Sequence, residues 1–261
     1  MTYVQTGDIR IHVHVDGPDD APVVLFSNSL GADLRMWDAQ AEAFAGRFRV
    51  VRYDGRGQGG SDTPEGPYTI EALGGDALAV LDALEVERAH ICGISMGGLV
   101  AQRLAAIHPE RVDRAVYANT AAKIGSDEMW DARIAAVRTG GMKAIRDAVL
   151  GRFFTDSFGD TEVVRRTSDT FTAASPEGYV NLCYAVRNAD LRPLVGSIRA
   201  PSLVVAGAHD VATPPAEARW LHERIPGSEL VVVADAAHLS NVEQPNRFNQ
   251  AVLDFLDREA G

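Results

Sequence analysis

Residues 88–112 read RAHICGISMGGLVAQRLAAIHPERV and carry the strongest signal for the fold of this chain. The segment RAHICGI is a short apolar run typical of a buried strand, and the segment after Ser95 has helical periodicity as far as Pro109. Between them lies GISMG at 93–97, a G-x-S-x-G pattern. Its glycines permit a sharp strand-to-helix turn that exposes a serine hydroxyl. The alternative interpretation is an ordinary turn without chemical function.

Short apolar runs alternate with helical stretches along most of the chain. Predicted strands cover residues 9–15, 21–27, 48–54, 88–94, 114–120, 201–208 and 228–236, and predicted helices include 69–86, 96–109 and 248–261. The first strand alternates apolar and polar residues, which predicts an antiparallel strand at a sheet edge. Most of the others are apolar runs, as in strands covered on both faces. This order predicts an α/β fold in which helices flank a mostly parallel central sheet.

The alternation breaks once, between residues 121 and 193. No convincing strand occurs there, and two helical patterns, at 126–141 and 175–190, begin with a serine suited to cap a helix N-terminus. The second pattern has Pro176 at its first helical position, where proline is favoured. We therefore predict a helical cap at 121–193, inserted into a core that is formed by residues 1–120 and 194–261.

Charge and composition limit the partners. The 261 residues carry 25 basic and 36 acidic side chains, a formal charge of −11, which disfavours nucleic acid and anionic membranes.

His12 and His14 share one face of a strand, but no third ligand stands at a recognisable spacing, so we expect neither a metal nor a cofactor. Cys92 and Cys183 match no CxxC or zinc spacing, which predicts two reduced thiols. The sequence leaves the oligomeric state open.

Neither a secretory signal nor a membrane span is predicted. The N-terminal residues MTYVQTGDIR lack a basic segment followed by an apolar one, and no apolar run approaches the roughly 18 residues of a bilayer span. We therefore expect a cytoplasmic protein.

A serine hydroxyl becomes a good nucleophile only when a base accepts its proton and a third group orients that base. His238 stands in a loop directly after an apolar strand, at the carboxyl end where catalytic groups gather in parallel sheets. Asp210 occupies the same place one strand earlier. The chain order Ser95, Asp210, His238 predicts a nucleophile, an orienting acid and a base. Asp54 also ends a strand and is the alternative acid.

Negative charge that develops on a reacting carbonyl oxygen needs N–H donors. The backbone N–H of Met96 follows Ser95 at a helix N-terminus, which suits an oxyanion. A second donor must come from an early loop, and SNSLG at 27–31 leaves a buried strand as a polar, glycine-bearing turn. We predict the N–H of Leu30 as that donor, with a simple turn as the alternative.

These stretches together resemble the α/β-hydrolase superfamily over essentially the whole chain. The matching segments are NSLG at 28–31, DGRGQGGS at 54–61, GISMGG at 93–98, GAHDVATPP at 207–215 and DAAHLSNVEQP at 235–245. Within the superfamily, the chain most fully resembles the 3-oxoadipate enol-lactonases. The segments that carry this likeness are SNSLGADLRMWDAQ at 27–40, CGISMGG at 92–98 and ANTAAKIGSDEMWDARIAAVRTGGM at 118–142.

The resemblance implies hydrolysis of an enol-lactone to 3-oxoadipate through a serine acyl-enzyme, without a cofactor, in the bacterial breakdown of aromatic compounds. It places the triad and the two oxyanion donors on the residues named above. One position departs from the pattern, since Gln58 stands where related hydrolases usually have histidine in the loop after Asp54. We interpret Gln58 as a structural residue.

The implied substrate is a small lactone with a free carboxylate, and a protein of charge −11 needs a dedicated cation to bind it. Trp130 and Arg133 stand three residues apart in the first predicted cap helix, so they share a face. A tryptophan ring that packs the lactone and a guanidinium that pairs with its carboxylate would form a suitable substrate site. Ordinary packing between the two side chains is the alternative.

Other activities stay open on the sequence. A carboxylesterase, a C–C bond hydrolase or a perhydrolase uses the same triad with a different cap cavity, whereas a dehalogenase would need aspartate in place of Ser95. A protein that binds a small ligand and signals to a partner is the alternative from another class, since a fold alone does not define function.

Overall fold

Eight strands form one sheet in the computed structural model of the protein, which describes residues 2–258. The strands are β1 (Thr2–Thr6), β2 (Ile9–Asp16), β3 (Val23–Ser27), β4 (Arg49–Tyr53), β5 (Ala89–Ile94), β6 (Val112–Ala118), β7 (Ser202–Gly207) and β8 (Glu229–Val233). Their order across the sheet is β1-β2-β4-β3-β5-β6-β7-β8. β2 runs antiparallel to both of its neighbours, and all other pairings are parallel. This mostly parallel sheet confirms the predicted fold class.

The N-terminal strand pair departs from the prediction. β1 pairs with β2 in a register that places Thr6 opposite Ile9, so a two-residue turn joins them. Gly7 in this turn has φ of +57°, as tight hairpin turns require. The prediction of an edge strand at 9–15 is therefore wrong, because the short and mostly exposed β1 occupies that edge instead.

Ten α-helices lie within residues 2–258. They are α1 (Asp38–Phe44), α2 (Ile70–Ala83), α3 (Met96–Ile107), α4 (Asp127–Gly140), α5 (Arg146–Phe153), α6 (Glu162–Ala173), α7 (Pro176–Asn188), α8 (Pro215–Arg224), α9 (Ser240–Glu243) and α10 (Pro245–Leu256). Short 3-10 helices cover Leu34–Trp37, Pro109–Arg111, Met142–Ala144, Asp156–Phe158 and Val195–Ser197. Of the helix predicted at 248–261, residues 259–261 lie outside the described residues. None of the described helices combines the length and apolar character needed to cross a bilayer.

Four helices, α4 to α7, fill the chain between β6 and β7. Ser126 accepts a hydrogen bond from the backbone N–H of Met129, and Ser175 accepts one from that of Gly178, so both predicted serine caps are confirmed. Residues 121–193 are all described and contain no strand. We call them the cap segment, and their boundaries as a separate unit stay a prediction.

The central strands bring the polar residues of the site to one edge of the sheet. β5 and β7 are buried along their whole length, as expected where helices cover both faces of a parallel sheet. Parallel strands place their carboxyl ends at the same edge, where ligand sites form. The polar residues that follow the carboxyl ends of β3, β5, β6, β7 and β8 at this edge are Asn28, Ser95, Asn119, Asp210 and His238.

Candidate active site

Ser95 lies at a strained turn between β5 and α3. Its backbone has φ of 57° and ψ of −115°, a conformation that costs energy for any residue except glycine. A Cβ on Gly93 would lie 2.0 Å from the carbonyl oxygen of Gly97, and a Cβ on Gly97 would lie 2.1 Å from that of Ser27. Because only glycine fits at either position, the G-x-S-x-G pattern forms the sharp turn expected from the sequence.

Two backbone N–H groups near Ser95 have no hydrogen-bond acceptor within residues 2–258. They belong to Leu30 and Met96, which are 6% and 4% exposed. Buried N–H groups without an acceptor are rare in proteins. Met96 is the first residue of α3, where the helix offers no acceptor and its dipole favours negative charge. The arrangement is suited to bind an oxyanion at Ser95.

Gln58 holds the loop that carries Leu30. The side chain of Gln58 is buried, and its Nε2 donates to the carbonyl oxygens of Ser29 and Ala32, over 2.7 and 3.1 Å. These two carbonyls flank Leu30, and Gly31 between them has φ of +79°. The hydrogen bonds agree with the interpretation of Gln58 as structural, since they fix the backbone from which the Leu30 N–H projects.

Asp210 is 3% exposed and accepts five hydrogen bonds. Its Oδ2 accepts from His238 Nδ1 and Thr213 Oγ1, each over 2.8 Å, and from Asn119 Nδ2 over 3.0 Å. Its Oδ1 accepts from the backbone N–H groups of Ala212 and Thr213. Burial has the largest influence on the pKa of Asp210 and raises it, but the His238 ring and these donors together outweigh burial. The pKa of Asp210 therefore lies below its ordinary value of 3.8.

His238 joins Asp210 to the cavity that contains Ser95. An ionised carboxylate only accepts hydrogen bonds, so Nδ1 of His238 carries the proton and Nε2 is free to accept one. The ring is stacked on Phe153, with 6.0 Å between ring centroids. Within residues 2–258 the ring bonds to Asp210 and Thr213, and it shares its cavity with Ser95. Contacts between nucleophile and base often shorten only when substrate binds.

The cavity lies between the sheet edge and the cap segment and has a volume of about 50 Å³. Its functional lining consists of Leu30, Ser95 and His238 from the sheet side and Trp130, Arg133 and Arg152 from the cap segment. The guanidinium carbon of Arg133 lies 4.8 Å from the centre of the Trp130 ring. Within residues 2–258 neither of the two arginines forms an ion pair, and no carboxylate lines the cavity.

The structure separates other candidates from this cavity. Asp54, the alternative acid, contacts His12 and not His238, with 2.8 Å from Oδ2 to His12 Nδ1. His14 lies beside Asp16. No group of three His, Cys, Asp or Glu side chains in residues 2–258 is arranged to hold a metal ion. The two cysteines are buried and free.

Four residues of the site are missing from the sequence predictions: Asn119, Thr213, Arg152 and Tyr179. Two of them carried a usable signal, because Asn119 directly follows β6 at the catalytic edge and Thr213 follows Asp210 by three residues. Arg152 and Tyr179 lie in α5 and α7, and both line the cavity. Nothing in their local sequence indicates which face of each helix meets the cavity.

Residues 22–245 match the family described as alpha/beta hydrolase fold, and the chain belongs to this family. A protein named 3-oxoadipate enol-lactonase 2 from Acinetobacter baylyi is 44% identical over 253 residues, which cover 96% of this chain and 94% of that one. A crystal structure of an enol-lactonase from Burkholderia xenovorans is similar with a TM-score of 0.96 and 45% identity, over 98% of this chain and 100% of that one. A Caulobacter protein that carries the name of a RutD carbamate hydrolase is 32% identical over 255 residues, 95% of each chain. The family and these relatives identify the protein as a hydrolase.

Proposed function

We propose that the protein hydrolyses 3-oxoadipate enol-lactone to 3-oxoadipate, as a step in the bacterial breakdown of aromatic compounds. The observation that carries this proposal is the cavity that joins Ser95 and His238 to the guanidinium of Arg133, which forms no ion pair within residues 2–258. Such a cavity combines groups that attack a carbonyl with a cation for a carboxylate. Similarity to proteins named as enol-lactonases supports the same substrate.

The first step is attack on the lactone. Nε2 of His238 accepts the hydroxyl proton of Ser95 while Oγ forms a bond to the carbonyl carbon. Asp210 keeps the other ring nitrogen protonated and stabilises the imidazolium that results. The five hydrogen bonds to Asp210 fix the orientation of its carboxylate. The carboxylate in turn fixes the orientation of the His238 imidazole before the reaction begins.

Attack moves negative charge onto the former carbonyl oxygen. In the proposed mechanism the N–H groups of Leu30 and Met96 donate to this oxygen, and their lack of other acceptors in the described part of the chain supports that role. Donors fixed in a buried site stabilise the developing charge more than water does, because they need no reorganisation. The helix N-terminus at Met96 adds a favourable dipole.

Collapse of the tetrahedral intermediate opens the ring. The bond from the carbonyl carbon to the ring oxygen breaks, His238 returns its proton to the departing enol oxygen, and an acyl group stays on Ser95. The enol then becomes a ketone, which makes ring closure unfavourable. A water molecule gives a proton to His238 and attacks the acyl carbon. His238 then returns this proton to Ser95 Oγ as the bond from Oγ to the acyl carbon breaks, which releases the new acid.

Two cap residues are proposed to recognise the substrate. Trp130 is buried beneath the guanidinium of Arg133, and both line the cavity, so the ring is placed to pack a lactone while Arg133 pairs with the carboxylate. A cavity of about 50 Å³ favours a compact substrate over an ester with a long chain. A neutral substrate would leave the guanidinium without an anion.

An assay with four substrates tests the proposal: the enol-lactone, its side-chain methyl ester, phenyl acetate and a phenyl carbamate. We expect kcat/KM for the lactone acid to exceed that for phenyl acetate by roughly a thousandfold, since the site is shaped for the lactone. We expect kcat/KM for the lactone acid to exceed kcat/KM for its methyl ester by about tenfold or more, because only the acid pairs with Arg133. Equal turnover of phenyl acetate would indicate a general esterase, and preference for the carbamate would favour the activity named for the Caulobacter relative.

A further inference from the structure

The cavity contains two guanidiniums, although the proposed substrate has a single carboxylate. Arg133 and Arg152 both line it, no Asp or Glu side chain within residues 2–258 does, and Asp210 lies behind His238 on the far side of the ring. Both arginines are half-buried, and a charge removed from water is costly unless a partner compensates it. One carboxylate therefore leaves one positive charge in the cavity without an anion.

Arg152 is held at the reacting end of the cavity. The backbone N–H of His238 donates to the carbonyl oxygen of Arg152 over 3.4 Å, and that of Leu239 donates to Phe153 over 3.0 Å. The Phe153 ring stacks on the His238 imidazole. The end of α5 is thus attached directly to the loop that carries His238, and Arg152 projects into the cavity from beside it.

A buried carboxylate strengthens this attachment. Glu243 is 4% exposed and accepts from the backbone N–H of Ala237 over 2.8 Å and from that of Thr155 over 3.1 Å. The Thr155 hydroxyl also donates to Glu243. These bonds connect Ala237, which precedes His238, to Thr155, which lies two residues after the end of α5. Arg152 and His238 are therefore held in one relative position.

Arg133 reaches the cavity from another helix, α4, and its guanidinium lies over the Trp130 ring. Arg133, Arg152 and Tyr179 all line this cavity of about 50 Å³, so the two guanidiniums lie near one another. Burial raises the pKa of Tyr179, and the charges of Arg133 and Arg152 and a side-chain hydrogen bond to Arg133 oppose that rise. Together the two guanidiniums can contact two negative groups of one small ligand.

We infer that Arg133 binds the carboxylate that the substrate brings, and that Arg152 compensates the second negative charge that the reaction creates. This inference rests on the proposed function. The lactone acid is a monoanion; the tetrahedral intermediate is a dianion, because the serine proton has moved to His238 and the carbonyl oxygen has become an oxyanion. Hydrolysis with one water then gives a dicarboxylate and releases one proton. The cavity is matched to the charge of the intermediate and product, which favours the transition state over the bound substrate.

Calorimetric titration with two unreactive six-carbon acids tests the dianion site. Adipate carries two carboxylates and hexanoate carries one, and the protein hydrolyses neither. We expect adipate to bind about tenfold or more tightly than hexanoate, since the second ion pair forms only with adipate. Arg152→Gln should reduce this ratio to about threefold or less, and Arg152→Lys should restore part of it by returning the charge. Arg138→Gln is the matched control, because Arg138 is exposed on α4 and stacks on Tyr184 outside the cavity.

Steady-state kinetics with the lactone separate the two arginines. Arg152→Gln should lower kcat by about ten- to a hundredfold with KM changed less than about threefold, whereas Arg133→Gln should chiefly raise KM. The inference is overturned if adipate binds no more tightly than hexanoate, if Arg152→Gln retains the ratio, or if that variant raises KM and leaves kcat unchanged. If the unaltered protein does not hydrolyse the lactone, the proposed function fails, and the titrations still decide whether Arg152 completes a dianion site.

Discussion

The Asp210–His238 pair and the Asp54–His12 pair share one interaction and differ in their surroundings. In each, Nδ1 of the imidazole lies 2.8 Å from Oδ2 of a buried aspartate. His238 lines a cavity of about 50 Å³ together with Ser95, whereas His12 lines a cleft of about 410 Å³. The larger cleft lies beside the Asp54–His12 pair, so cavity size alone does not identify the candidate catalytic pair.

The two pairs differ in the surroundings of the serine that lies near each of them. Ser61 lies next to the Asp54–His12 pair, but its hydroxyl donates to the carbonyl oxygen of Asp54 and accepts from the backbone N–H of His12 over 2.8 Å. Ser95 instead stands at a strained turn, near two N–H groups that lack acceptors within residues 2–258. An Asp–His pair becomes useful for acyl transfer only where a nucleophile and oxyanion donors reach the same cavity.

The Asp54 carboxylate has a structural role. Besides His12, it accepts from the backbone N–H of Leu34 over 2.7 Å and from that of Gly60 over 2.9 Å. It thereby joins β2 to the loops that follow β3 and β4. These partners are the His12 ring and backbone N–H groups of two loops, which makes it a connection between these segments and not a participant in the cavity.

The largest difference between the two pairs should appear when each serine loses its hydroxyl. Ser95→Ala removes the proposed nucleophile and should lower kcat/KM for the lactone by about 10⁴-fold or more. Ser61→Ala, the matched control, should change kcat/KM less than about threefold and lower the free energy of unfolding by about 1 kcal/mol. Enzyme kinetics and circular dichroism measure both. Near-full activity in Ser95→Ala would remove the nucleophile assignment.

Replacing each aspartate by asparagine should separate catalysis from stability. Asp210→Asn permits the wrong tautomer of His238 and should lower kcat by about 10³- to 10⁴-fold. Asp54→Asn should keep kcat within about tenfold but lower the free energy of unfolding by about 1–3 kcal/mol, since buried donors lose an acceptor. Kinetics and urea unfolding of the two variants give the comparison. A similar loss of kcat in both would show that the two pairs are not functionally distinct.

The smallest expected effect is on the pH dependence of stability. Because the folded-state pKa of Asp210 lies below the ordinary 3.8, its ionised form stabilises the folded protein above pH 3.8, and this contribution is lost as the pH falls through the folded-state pKa. The side chain in Asp210→Asn does not ionise. The difference in free energy of unfolding between the native protein and this variant should therefore shrink below pH 3.8, as urea unfolding at several pH values would measure. A difference that stayed constant into strong acid would contradict the lowered pKa.

Much of the fold followed from local patterns. The serine caps at Ser126 and Ser175 and the parallel strands of the core agree with predictions from periodicity and capping chemistry. β1 was missed because its segment is short and mostly exposed, and an edge strand obtains its stability from the neighbour it pairs with. The five residues of β1 do not by themselves indicate that β2 pairs with them.

The sequence by itself determined the strand, turn and helix around Ser95, since the apolar run, the G-x-S-x-G pattern and the helical periodicity are all local features. It also placed Asp210 and His238 at the carboxyl ends of successive strands, because strand and helix periods are local properties. Only the tertiary structure decided that Asn119 reaches Asp210 across 91 residues of sequence and that Arg152 faces the cavity beside Arg133. Those contacts depend on how separate elements pack, which is set by the burial of apolar surface over the whole chain and not by any one segment.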